Sequence, residues 1–200
     1  YKITPYLTAK VNAGGDINNR RRDVYVGQKT RRAMAAGGSG SVLNGMLGNY
    51  LLEGTITYDR RWEHHYLNVM GGATTQRFVY TSSSQNADGF PSDVTGSDNL
   101  GLGDQETFRM GTNRAANRLL SYLGRVNYEL NNKYLFTASL RADGSSRFGI
   151  NNRFGFFPSF ALGWKLTEED FMQDVSVFSE LKPRLSWGQT GNQEIGNYSA

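Results

Sequence analysis

Apolar and polar residues take turns along much of this chain, and a period of two is what a strand produces, because successive side chains leave opposite faces. From Leu120 to Leu130 one set reads Leu120, Tyr122, Gly124, Val126, Tyr128 and Leu130, and the interleaved set reads Ser121, Leu123, Arg125, Asn127 and Glu129. Only Leu123 breaks the pattern. From Tyr134 to Asp143 the apolar set is Tyr134, Phe136, Ala138, Leu140 and Ala142, opposite Leu135, Thr137, Ser139, Arg141 and Asp143. A third run sets Phe156, Pro158, Phe160, Leu162, Trp164 and Leu166 against Phe157, Ser159, Ala161, Gly163 and Lys165. Residues 181–188, 50–59 and 67–73 repeat the alternation, so at least six strands are predicted.

The links differ in kind. Asn131, Asn132 and Lys133 join two runs, and asparagine tolerates the positive φ of a tight hairpin turn. The link near Arg60 to His65 is also short, whereas Thr81 to Asn117 is long and Gly144 to Gly155 is intermediate. Thr167 to Glu180 falls on the short side, and Glu168, Glu169 and Asp170 ahead of Phe171 suit the first turn of a small helix. Alternating short turns and long loops are the habit of outer-membrane barrels. Tyr58, Trp62, Tyr66, Tyr128, Tyr134 and Trp164 sit near short-turn ends, and Tyr50, Tyr122 and Phe156 near long-loop ends, as interfacial aromatic belts require. The fold class expected is therefore all-β: an antiparallel transmembrane β-barrel segment, part of a large plugged barrel, with long extracellular loops and short periplasmic turns. A soluble carbohydrate-binding β-sandwich predicts the same alternation.

Composition sharpens this reading. Aromatic residues at 12% and charged residues at 20% place the chain outside the disordered class. A mean hydropathy of -0.54 and the lack of any apolar stretch near 18 residues exclude a membrane-spanning helix but not a barrel, whose strands meet lipid only at every second side chain. The absence of cysteine removes disulfides and thiolate chemistry. With no Met at position 1 and no signal segment, the chain is expected to be a fragment. Residues 1–45 hold eight Lys or Arg against Asp16 and Asp23, a local excess of +6 that leaves -2 for the rest. Arg20, Arg21, Arg22, Arg31 and Arg32 lack the interleaved aromatics or helical scaffold of a nucleic-acid surface, so no nucleic-acid partner is expected.

Residues 121–149, SYLGRVNYELNNKYLFTASLRADGSSRFG, with NNRFGFFPSFALGWKLTEEDFM after them and LKPRLSWGQTGNQEIGNYSA at 181–200, resemble the SusC/RagA family of TonB-dependent outer-membrane transporters. The resemblance covers roughly the last 80 residues closely. It implies a plugged barrel of 22 strands, a size known for outer-membrane transporters. It also implies uptake of glycans or peptides, powered by TonB, ExbB and ExbD through an amino-terminal segment, with a SusD-like surface lipoprotein at the barrel mouth. A siderophore receptor is the alternative within transport. On this reading the whole of 1–200 is partial barrel, with 1–45 an extracellular loop region with strand remnants and 46–200 barrel strands and loops.

The candidate chemistry is binding, not catalysis. Arg141, Asp143, Arg147 and Arg153 surround the loop 144–155 and could meet substrate, although pairing among themselves is the commoner use of such groups. Phe90, Phe108 and Tyr198 are candidate stacking surfaces for sugars. Arg125, Asn127, Glu129, Lys165 and Arg184 fall on the polar side, facing the lumen, where a structural role is expected. His64 and His65 are adjacent and face opposite ways, and Asp88, Asp93, Asp98 and Asp104 lack calcium-loop spacing, so no metal and no cofactor are expected. No G-x-S-x-G or phosphate-cradling motif occurs, and Glu168 and Glu169 point apart on a helix, so no enzyme is expected.

Overall fold

The computed structural model describes residues 1–149, 153–172 and 177–192. Its strands are β1 (Lys2–Thr4), β2 (Leu7–Val26), β3 (Ser39–Trp62), β4 (His65–Asp88), β5 (Arg109–Leu130), β6 (Tyr134–Ser145), β7 (Phe154–Trp164) and β8 (Arg184–Gly188). All eight belong to one sheet, ordered as they occur along the chain. The residues group into two compact units: Tyr1–Gly14, Leu51–Gln76 and Asn117–Ala200 in one, Gly15–Tyr50 and Arg77–Ala116 in the other.

In the first unit, the β5–β6 hairpin pairs Tyr122 with Ala142, Val126 with Ala138, Tyr128 with Phe136 and Leu130 with Tyr134. β7 continues the register, setting Phe136 against Leu162 and Leu140 against Pro158. β8 adds Leu185 beside Leu162 and Trp187 beside Phe160. Directly opposed residues in an antiparallel pair share a face, so the apolar sets of four strands merge into one surface. No described residue covers it: Tyr122 is 50% exposed, Leu140 51% and Leu185 67%. A sandwich would bury these side chains under a second sheet, and among the described residues every strand lies in this one sheet. The turn closes as the sequence expects, with Asn131 and Asn132 at φ of 55° and 57°. The β3–β4 turn instead places Glu63 at a φ of 46°, a conformation its side chain did not announce.

The strands run longer than alternation suggested. β3 and β4 hold 24 residues each, β2 holds 20, and the connection expected from Thr81 to Asn117 shrinks to the interval between Asp88 and Arg109. Residues 1–45, read as loop with strand remnants, contain β1, all of β2 and the first turns of the β3 ladder. The reason is physical. In stretches such as Asn18 to Asp23 and Ser82 to Asn86, both faces are polar, so the ladder of backbone hydrogen bonds persists without leaving a binary pattern in the sequence. Likewise, the small helix expected around Glu168 is two 3-10 turns, Leu166–Glu168 and Asp170–Met172.

The second unit has its own small core of Ala33, Val42, Ala87 and Phe90. Phe90 begins the connection after β4 and meets the edge of Tyr25 with ring centroids 5.2 Å apart. The Gln28 side-chain amide donates to the Phe90 carbonyl. Gly40 is required beside it, since a Cβ there would lie 2.9 Å from the Phe90 ring and 2.6 Å from Leu100. The loop is thus pinned at its start.

Candidate functional site

The polar face carries the candidate site. Arg141 and Asp143 on β6, Arg153 just before β7, and Phe148, Phe157 and Leu119 line a cleft of about 260 Å³. β6 and β7 bring these residues together because Leu123 opposes Arg141, which in turn opposes Phe157. Arg141 Nε donates to both Asp143 carboxylate oxygens at 2.7 and 2.8 Å, and its Nη2 donates to the buried Ser121 hydroxyl at 3.2 Å. That geometry leaves the pair largely self-satisfied, with Arg153 the more available cation in the cleft. Arg147 lies in the same loop but does not line it.

The remaining polar-face residues form a ladder of contacts. Asn127 donates to Asn68 Oδ1 at 3.2 Å and accepts from the Thr137 hydroxyl at 3.0 Å. The Ser139 and Ser159 hydroxyls meet at 2.7 Å, and Lys165 approaches Glu129 at 3.4 Å. Arg125 and Arg184 are exposed, and the register places both on this face. These contacts tie neighbouring strands together across a surface that apolar packing does not hold.

Of the stacking candidates, Phe90 needs correction. It is only 4% exposed, because Tyr25, Gly40 and Leu100 close around it, so it anchors a loop and offers no surface to a sugar. Phe108 is 39% exposed at the end of the same connection. Tyr198 lies outside the described residues. Tyr66, grouped with the interfacial aromatics, instead donates its hydroxyl to Asp59 at 2.7 Å, and the Arg61 guanidinium lies 4.9 Å from its ring centre. Of the loop carboxylates, Asp88 pairs with Arg109 at 2.7 Å and Asp104 caps Glu106 N at 3.0 Å. Asp93 accepts from Gln28 N and the Tyr25 hydroxyl, which together hold its carboxyl below the usual range.

Two features escaped the sequence. Glu169, read as a helix-start residue, accepts from Trp164 Nε1 at 2.9 Å, the Tyr134 hydroxyl at 2.8 Å and Lys133 Nζ at 3.1 Å. These donors, the Trp164 bond foremost, keep its carboxyl below the ordinary glutamate range. The second is a cleft of about 230 Å³ in the second unit, where Arg20 and Arg22 of β2 meet Leu43 and Leu47 of β3 and Tyr80 of β4. Its members lie on neighbouring strands far apart in sequence, and only their shared parity could have hinted at it.

A single antiparallel sheet of long, sequentially ordered strands, with one uncovered apolar face and a hydrogen-bonded polar face, is the wall of a transmembrane β-barrel, and comparison with known proteins places it among TonB-dependent receptors. Over 81 residues the chain is 62% identical to the TonB-dependent receptor SusC of Bacteroides thetaiotaomicron, a match covering 40% of the chain and 8% of that protein. Over 186 residues it is 34% identical to the TonB-dependent receptor P26 of Formosa agariphila, covering 92% of the chain and 19% of that protein. It superposes on the solved RagAB peptide transporter with a TM-score of 0.88 at 27% identity, covering 98% of the chain and 22% of the transporter chain. No family model matches. The chain belongs to the SusC/RagA family, as a segment of its barrel. It spans about a fifth of the length of the P26 relative and of the RagAB chain.

Proposed function

We propose that the protein containing this segment carries out TonB-dependent active uptake of oligosaccharides or peptides across the bacterial outer membrane. The observation that carries the reading is the uncovered apolar surface of β5 to β8, which is stable only against hydrocarbon, backed by a face of Asn, Ser, Thr and charged residues suited to a wet or plugged interior. Tyr134 stacked on Trp164 at 6.3 Å and Trp62 on His65 at 5.3 Å supply amphipathic rings at the short-turn end, where lipid meets water.

Its work is gated passage without covalent chemistry, and the relatives it matches are receptors and transporters. Energy comes from TonB, ExbB and ExbD acting on an amino-terminal segment, and a SusD-like lipoprotein covers the mouth. Substrate selection falls to the polar face and the extracellular connections, with Arg153, the Arg141–Asp143 pair and Phe108 as contacts. A peptide transporter that superposes along nearly the whole chain supports the peptide class, and the exposed Phe108 ring offers a sugar a stacking face.

Deleting the gene and measuring growth on a defined glycan, a peptide mixture or an iron chelate as limiting nutrient tests this reading. Loss confined to the glycan or the peptide supports it, and loss confined to the chelate moves the protein to siderophore uptake. Recovery of the full-length protein in the soluble fraction without detergent would sink it.

A further inference from the structure

The arginine run at the start of the chain divides by face. Arg21 pairs with Asp23, two positions on along the same face of β2, at 2.9 Å. Arg20 and Arg22 point the other way, and among the described residues neither has a carboxylate partner. Residues two apart on a strand have their Cα atoms about 7 Å apart, within the screening length of physiological salt, so the two like charges repel unless an anion lies between them. The next acidic residue on that face of β2, Asp16, is four positions from Arg20, about 13 Å along the strand.

What lies beside the two cations is apolar. Leu43 is 36% exposed, Leu47 44% and Tyr80 39%, all bordering the same cleft as Arg20 and Arg22. They stand on the side of β3 and β4 opposite the one bearing Met46 and Tyr50, since alternation sends Leu43 and Leu47 away from those residues. Gly45, between the two leucines on that side, contributes no side chain, and a Cβ there would come within 3.8 Å of the Tyr80 ring. The cleft therefore combines two unneutralised cations, an aliphatic wall and one aromatic ring.

We propose that this cleft is a recognition subsite for an acidic oligopeptide, taking a Glu or Asp carboxylate between Arg20 and Arg22 and an adjacent aliphatic side chain against Leu43 and Leu47. The inference rests on the uptake reading above and names the substrate class. Paired guanidiniums match a carboxylate by charge-assisted hydrogen bonds. Two leucines against the single Tyr80 ring make the apolar wall mainly aliphatic, which fits an aliphatic peptide side chain better than a sugar ring seeking aromatic faces.

The test uses the full-length transporter with its partner lipoprotein in detergent. Calorimetry compares a synthetic pentapeptide bearing Glu between two leucines with its Gln counterpart. Wild type binds the Glu peptide about tenfold more tightly, as a charge-assisted bond contributes. Arg20→Gln with Arg22→Gln loses that preference while keeping the Gln-peptide affinity. The Arg20→Lys, Arg22→Lys variant retains it in part, and Arg21→Gln, altered on the opposite face, retains it whole. Equal binding of both peptides by wild type, or an undiminished preference in the double glutamine variant, overturns the subsite. So does a preference for an acidic oligosaccharide over both peptides. A parallel TonB-dependent uptake measurement on energised cells separates the two levels: uptake that persists without the charge preference removes only the subsite, and absence of any energised uptake removes the function beneath it.

Discussion

At the scale of single residues, neighbours on one strand live in different solvents. Val126 lies on the apolar face, paired with Ala138, while Asn127 bonds Asn68 and Thr137 on the polar face. Val126→Arg places a cation in hydrocarbon and should cost about 2–4 kcal/mol near the bilayer midplane. Asn127→Arg should cost about 1 kcal/mol, since the guanidinium can itself donate to Asn68 while one hydrogen bond is lost. Heat-modified gel mobility of the full-length protein in outer-membrane fractions reports both, and equal assembly defects would contradict the assigned faces. Glu169 gives a pH signature. Its carboxyl is held low by Trp164, Tyr134 and Lys133, so its contribution to the turn is complete above the ordinary value of 4.5 and disappears as pH falls through the lower folded value. The fluorescence difference between wild type and Trp164→Phe should stay flat down to pH 4.5 and change below it, and Glu169→Gln should abolish that step.

Among elements, legibility followed the solvent. β5, β6 and β7 could be read residue by residue because hydrocarbon on one side and polar contacts on the other impose opposite demands on alternate positions. β2 and the far parts of β3 and β4 could not, because Asn18, Asn19, Ser82 and Ser83 satisfy both faces equally. The site was legible to the same degree: the parity of Arg141 and Asp143 was visible, but their mutual pairing, the closing of Tyr25 and Gly40 around Phe90, and the three donors converging on Glu169 depend on contacts between segments that the sequence holds far apart. The Phe90 anchor carries its own prediction. Phe90→Ala should cost about 3 kcal/mol or more locally, as removal of a buried aromatic does, and release the connection between Asp88 and Arg109. Limited proteolysis of intact cells should then cut within 89–108 at protease levels that leave wild type whole, and unchanged resistance would remove the anchoring role.

For the whole molecule, the uncovered surface decides behaviour in solution. A sheet with free edge strands and a continuous apolar face invites pairing with further copies. These 200 residues, expressed alone, should sediment as aggregates without detergent and disperse in it. A monodisperse soluble monomer by light scattering would refute the lipid-facing assignment.

The length of β3 and β4 also governs how their backbone meets water. An apolar band crossed at a barrel's tilt occupies roughly ten residues, and each of these strands holds 24. The surplus is hydrogen-bonded ladder, not slack chain. Amide hydrogens along those polar ends are held in the ladder and exchange with solvent far more slowly than those of a coil of the same composition.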